Sequence, residues 1–302
     1  MSMACAYAIV AYGADAPTLR PSVEAAFDEV DRIDRLMSHY RPESPLSRLN
    51  REAASGPVAV EPELFDFVAE CLRYSRESEG AFDVTVGPLM KAWGFFKGDG
   101  RVPDDGELQD LRGRIGFAHV VLDGARRTIR FDRAGVELDL GGIAKGYAVD
   151  RAVDVLRRSG VSAALVSAGG STIFGLGAPP GAKAWDVNVE DPLDARRVAL
   201  TMHLKDRALS VSGSAFKSFE QDGVRYAHVM DPRTARPVPH RLSVAVLAPT
   251  GTAGDALDNA FFVLGPTGSS GYLKRLSATE IVFFEAKGTT GWRMVRAKSH
   301  ER

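Results

Sequence analysis

Residues 137–150 read Glu-Leu-Asp-Leu-Gly-Gly-Ile-Ala-Lys-Gly-Tyr-Ala-Val-Asp. One kind of structure ends in this stretch and another begins. Upstream, 120–139 reads as a strand meander, with turn dipeptides at Asp123-Gly124 and Ala134-Gly135. Downstream, Ile143, Tyr147, Ala148, Ala152, Val155 and Leu156 recur at helical steps over 143–159. Further out, the same steps predict helices over 21–37 and 61–79, and a short one over 254–264 stopped by Gly265-Pro266. The segment 38–50, polar with two prolines, reads as a loop. Strands are expected at 1–12, 163–166, 172–174, 185–189, 198–204, 208–211, 226–230, 243–247 and 280–284. Hairpins with scattered helices, and no regular βαβ alternation, predict an α+β fold of mixed sheets with packed helices. No long linker, repeat or low-complexity tract divides the 302 residues, so 1–302 reads as a single domain.

Composition excludes several functions. Thirty-eight basic residues oppose thirty-nine acidic ones, a net charge of −1, without the basic surplus that nucleic-acid binding needs. Two cysteines, Cys5 and Cys71, exclude a disulfide scaffold and a cysteine-based zinc module, and read as core thiols. No apolar run has the length of a membrane span. The N-terminal apolar run has no basic residue before it, so it reads as a strand rather than a signal peptide. As written, the chain is expected in the cytoplasm; an upstream leader would place it in the periplasm or on a lipid anchor.

Four segments could carry chemistry. In the opening stretch, two glycines and Lys145 at a helix start suit an anion, or form an ordinary turn with a solvated lysine. Asp255, Asp258 and Asn259 share a helix face. They offer hard oxygens suited to Mg²⁺, or cap a helix N-terminus. His228 sits in an expected strand running into an Asp-Pro turn, as a proton carrier or a structural histidine; His39 and His119 lie near other candidate segments. The stretch 80–100, with Phe82, Asp83, Trp93 and Phe95, could line a flat heterocycle, form a mobile lid, or be core aromatics under a loop.

Seven segments stand in one order: MSHYRPESPLSRLN, GAFDVTVGPLMKAWGF, ELDLGGIAKGYAVD, ALVSAGG, VSGS, HVMDPRTARPV and DALDNAFFVLG. In that order the chain resembles the ApbE-like FAD:protein FMN transferases, over about residues 3–265. The resemblance implies a T-fold-related architecture, FAD as substrate, a bound Mg²⁺, and a client flavoprotein with a Ser or Thr acceptor. It implies flavin contacts at Met3, Tyr40, Ala81, Phe82, Asp83, Asp139, Lys145 and Met230. It implies metal ligation by the Gly142 carbonyl and by Asp255, Asp258 and Asn259, with His228 as the base. The chain departs from the family at Asn259, often Thr; at Ser171, often an acid; and at Ala235, usually Gly. The implied activity is transfer of FMN from FAD to a client hydroxyl with release of AMP. The alternatives are an Mg²⁺-dependent FAD pyrophosphatase and a non-catalytic flavin-binding protein.

Overall fold

The structure, a computed structural model, describes residues 5–299 apart from 14–15, 97, 215–217, 240 and 289–290. Its centre is a seven-stranded sheet: β1 (Tyr7–Tyr12), β2 (Ala163–Ala168), β3 (Thr172–Leu176), β4 (Arg207–Gly213), β5 (Arg241–Ala248), β6 (Glu280–Lys287) and β7 (Gly291–Lys298). The strands lie side by side in chain order, and every neighbouring pair is antiparallel.

The runs Ser-Val-Ala-Val-Leu-Ala in β5 and Ile-Val-Phe-Phe in β6 are apolar without alternation. Successive strand side chains point to opposite faces, so such runs need cover on both. Val244, Val246, Ile281 and Phe283 join the helix-side core. Ala245, Leu247, Val282 and Phe284 pack on the other side, against Trp185, Val187, Met202 and Leu204. Those four belong to a separate hairpin, Trp185–Asp191 paired with Asp194–Leu204.

The helices among the described residues are α1 (Ala16–Met37), α2 (Pro45–Glu52), α3 (Pro62–Glu77), α4 (Gly87–Ala92), α5 (Asp105–Arg112), α6 (Ala144–Arg158) and α7 (Gly251–Leu273). The helix following the opening stretch is α6, whose buried face carries Ala148, Val149, Ala152, Val153 and Leu156. Among the described residues no helix is long and apolar enough to cross a membrane.

Several expectations needed correction. Residues 45–52 form α2 rather than loop: Ser44 caps it, accepting from Ser47 N at 3.0 Å, and Pro45 occupies its first turn. Proline there starts a helix, because the missing N–H would have had no partner. The helix begun at Gly251 does stop at Gly265-Pro266, where Gly265 takes non-helical angles of φ 69° and ψ 178°; what was not expected is a second helical run from there as far as Leu273. His228 lies outside any strand, between Val224–Ala227 and Met230–Asp231. Neither α5 nor β7 was expected.

Candidate active site

The segments singled out in the sequence meet around a cavity of ≈ 490 Å³. Tyr40, Ala81, Phe82, Asp83, Asp139, Gly142, Lys145, His228, Met230, Asp255, Asp258 and Asn259 all line it. Met3 lies outside the described residues. Cys71 is a core thiol as expected, whereas Cys5 is half-buried and lines the cavity.

Tyr40 is presented by a braced loop. The Ser44 hydroxyl donates to Ser38 O at 2.7 Å, and Arg41 is tied to buried Asp34 at 2.8 Å. The Tyr40 ring stacks on Phe96 at 4.8 Å, with 9° between planes, and the His39 ring lies 4.1 Å from Tyr40. His39 Nδ1 is 3.3 Å from Asp139 Oδ1, which also accepts from Gly141 N at 2.8 Å. The mouth of the cavity thus has a flat aromatic wall beside an oriented carboxylate.

Residues 83–93 of the stretch 80–100 are tied to the body of the protein. Trp93 is fully buried and donates to Ala235 O at 3.1 Å. The Asp83 carboxylate accepts from Thr85 N (2.8 Å), Thr85 Oγ1 (2.6 Å) and Phe117 N (2.7 Å). Its charge is therefore committed to shaping the turn, and Phe82 gives the cavity an apolar surface here. Ala235 takes φ 58°, the left-handed region, so this turn carries strain of roughly 1–2 kcal/mol that glycine would avoid.

The acidic helix face is held by hydroxyls. Asp255 accepts from Thr172 of β3, from Ser210 of β4 and, at 2.7 Å, from Gly146 N at the start of α6. Ser212, two residues along β4, bonds Asp258. Asn259 Nδ2 donates to Gly142 O at 3.2 Å, Asp258 Oδ1 at 2.9 Å and Asp255 O at 2.9 Å. Burial pushes both carboxyls above the usual carboxylate range. Lys145 and the bonded donors pull Asp255 back, whereas the Asp255 charge pushes Asp258 up further.

These residues fit a hard divalent cation. An amide NH₂ at the focus of three oxygens marks a place suited to positive charge, and a cation there would relieve two buried like charges. Among the described residues no cluster of three or more acidic, histidine or cysteine side chains forms a metal site. The set here has only two acids; its other donors would be the Gly142 carbonyl and the Asn259 amide, which must turn its oxygen in place of its NH₂ to serve as a ligand.

Lys145 Nζ donates to Ser171 Oγ at 2.6 Å, and no carboxylate lies within ion-pair distance of it among the described residues. A neutral hydroxyl stands where the family often has an acid, so the lysine has no paired acid at that position and its charge acts on the cavity and on buried Asp255 and Asp258. His228 also lines the cavity, edge-on to Phe95 at 6.5 Å between ring centres.

Sequence reasoning missed the supporting groups Thr172, Ser210 and Asp150. Ser210 and Ser212 had a signal, two polar residues at a spacing of two within an otherwise apolar strand. Asp150 had none, because it reads as one more polar residue on a helix. It bonds Gly251 N at 2.6 Å and Thr252 N at 2.8 Å. Burial pushes it up to about 6. A pKa raised on folding means that the folded state takes up the proton first, so its cost of burial is relieved as pH falls from about 6 towards about 4. The melting temperature of metal-free protein is therefore expected to hold or rise as pH is lowered from about 7 to about 5, and Asp150→Asn to lack that share. A steady fall in both proteins over that range would contradict it.

The two helix starts touch backbone to backbone. A Cβ on Gly146 would collide with the Gly251 carbonyl oxygen. Gly146→Ala is expected to cost at least about 1–3 kcal/mol in urea unfolding. An unchanged midpoint would mean that the helices part without penalty.

The sequence profile of the ApbE family matches residues 3–283. The chain belongs to the ApbE family. Among curated ApbE relatives, a Vibrio cholerae FAD:protein FMN transferase is 38% identical over 261 residues, 83% of this chain and 75% of that one. The Escherichia coli K12 FAD:protein FMN transferase is 32% identical over 273 residues, 87% of this chain and 76% of that one. Two solved ApbE structures superpose closely. That of Thermotoga maritima gives a TM-score of 0.88 at 28% identity, covering 99% of this chain and 95% of that one. The flavin transferase ApbE of Vibrio cholerae gives 0.85 at 32% identity, covering 99% and 96%. The α+β architecture expected from the sequence is that of these ApbE proteins.

Proposed function

We propose that this protein is an FAD:protein FMN transferase, moving FMN from FAD onto a Ser or Thr hydroxyl of a client flavoprotein and releasing AMP. The observation that carries the reading is one cavity lined at once by an aromatic wall, a lysine, a histidine and a buried oxygen set. FAD needs all four: a surface for its rings, charge for its pyrophosphate, a proton acceptor for the nucleophile, and a cation site.

Tyr40 and Phe82 would flank the flavin, with Met230 and Ala81 completing an apolar wall. Asp139, oriented by His39 and Gly141 N, would accept a hydrogen bond from the substrate. Lys145, held by Ser171, would face the pyrophosphate and offset charge that builds on the leaving phosphate. The client oxygen attacks the flavin-side phosphorus, the bond from that phosphorus to the AMP oxygen breaks, and His228 takes the hydroxyl proton. Asp255, Asp258, Asn259 and the Gly142 carbonyl would hold Mg²⁺, which supplies charge neutralisation at the pyrophosphate when bound. The chain remains a single catalytic domain in this reading.

Purified protein with FAD, Mg²⁺ and a flavoprotein fragment carrying a Ser/Thr acceptor is expected to yield a client heavier by one FMN minus one water. A docked hydroxyl acts at an effective molarity of about 10⁵ M or more, against roughly 55 M for water, so FMN release from FAD alone is expected to be slow. Mass spectrometry reads the first and chromatography the second. FAD hydrolysis at one rate with or without client, and no labelled acceptor, would replace transfer by pyrophosphatase activity. Intact FAD throughout would leave only binding.

A further inference from the structure

The candidate cation ligands come from two elements. Gly142 precedes α6, whereas Asp255, Asp258 and Asn259 lie on α7. Their separation is therefore set by how the starts of α6 and α7 are joined. Each helix supplies an acid to the other. Asp255 of α7 accepts from Gly146 N in the first turn of α6 at 2.7 Å. In return, Asp150 of α6 accepts from Gly251 N at 2.6 Å, Thr252 N at 2.8 Å and Thr252 Oγ1 at 2.6 Å, at the start of α7. The backbones touch between them, and a Cβ on Gly251 would lie 2.7 Å from Gly146 O.

The first N–H groups of a helix have no partner within it, and acids satisfy them best. Here α7 already has its own cap, because Thr250 Oγ1 accepts from Ala253 N at 3.0 Å. Thr250 satisfies that one donor, and Asp150 satisfies the two before it, at Gly251 and Thr252, from another helix. Its bonds tie α7 to α6, and Asp150 itself does not line the cavity.

We propose that Asp150 is a positioning residue for the cation site, closing a reciprocal clasp that fixes the Gly142 carbonyl against the acids of α7. The inference rests on the proposed Mg²⁺ site. Without the clasp, the ligands remain on their own elements but the two elements drift, and cation affinity falls before turnover does.

Calorimetric titration of Mg²⁺ into wild type and Asp150→Asn separates the possibilities, alongside kcat and the KM for FAD at saturating Mg²⁺. Asp150→Asn is expected to weaken Mg²⁺ binding by about 10-fold or more, with kcat and KM at saturating Mg²⁺ close to wild type. Thr252→Val, which removes one of the three donors, is expected to give a smaller loss in the same direction and serves if Asp150→Asn does not fold. Wild-type Mg²⁺ affinity in both variants, with only a lower melting temperature, would reduce Asp150 to a structural tie and overturn the proposal. A wild type that binds no Mg²⁺ would overturn the metal reading itself, which the wild-type arm reads separately.

Discussion

His228→Ala is expected to lower turnover by about 10²–10⁴-fold at saturating FAD and Mg²⁺, with FAD affinity little changed. The expectation comes from placement. His228 stands in the bend between two short strands, where the backbone leaves the sheet and the ring reaches the cavity wall. Lys145 and the acid set lie on other elements, so losing the imidazole leaves the anion and cation sites in place. A proton acceptor matters to the step and hardly to binding, so kcat falls while the FAD dissociation constant stays. Single-turnover labelling of a client fragment, with FAD binding followed by flavin fluorescence, measures both. A variant that binds FAD poorly yet labels at the wild-type rate once saturated would make His228 a binding residue.

Asp258→Asn is expected to have opposite effects on stability and on activity. Asp258 is buried, and its carboxyl is pushed up first by burial and then by the Asp255 charge. Replacing it by the isosteric amide removes one of two like charges from a dry site. Metal-free Asp258→Asn is therefore expected to melt above the metal-free wild type. The same change removes an anionic cation ligand, so Mg²⁺-dependent turnover should fall by at least the ~100-fold that an outer-shell partner alone can cost. Melting curves with and without Mg²⁺ test both halves. An equal Mg²⁺-induced rise in wild type and variant would remove Asp258 from the cation set. Asp255 is the poorer probe, although the sequence gives it equal standing. Its carboxylate also satisfies Thr172, Ser210 and Gly146 N, so Asp255→Ala would strand three buried donors and confound folding with function.

Much of the fold was legible because local chemistry dictates it. The apolar runs of β5 and β6 require a sheet covered on both faces, and the structure covers it with helices on one side and the 185–204 hairpin on the other. The helical stripe after Gly142 became α6. Failures came where one residue type has two meanings. Pro45 looked like a loop residue and opens α2; Gly265-Pro266 is the stop it looked like, but Pro266 also opens a second helical run. In each case the residues beyond the proline continue as helix, since proline is tolerated in a first turn and not further in.

The site divides along the same line. The sequence by itself determined which groups face one another when they share an element: Asp255, Asp258 and Asn259 fall on one helical face because 3.6 residues make a turn. It also placed the two-glycine turn before Lys145, and by the order of its seven segments it identified the family. Only the tertiary structure decided what each of those groups is bonded to. Asp83 accepts from Thr85 in its own turn and from Phe117, 34 positions on, and Asp255 is shared among two strands and a helix. Lys145 donates to Ser171, 26 positions away, and its charge acts on buried Asp255 and Asp258. Asp150 ties α6 to the start of α7, 101 residues further along the chain. Hydrogen bonds and burial act over a few ångströms in space and fix the state of a charge, whereas sequence spacing reports those few ångströms only within a single turn or strand.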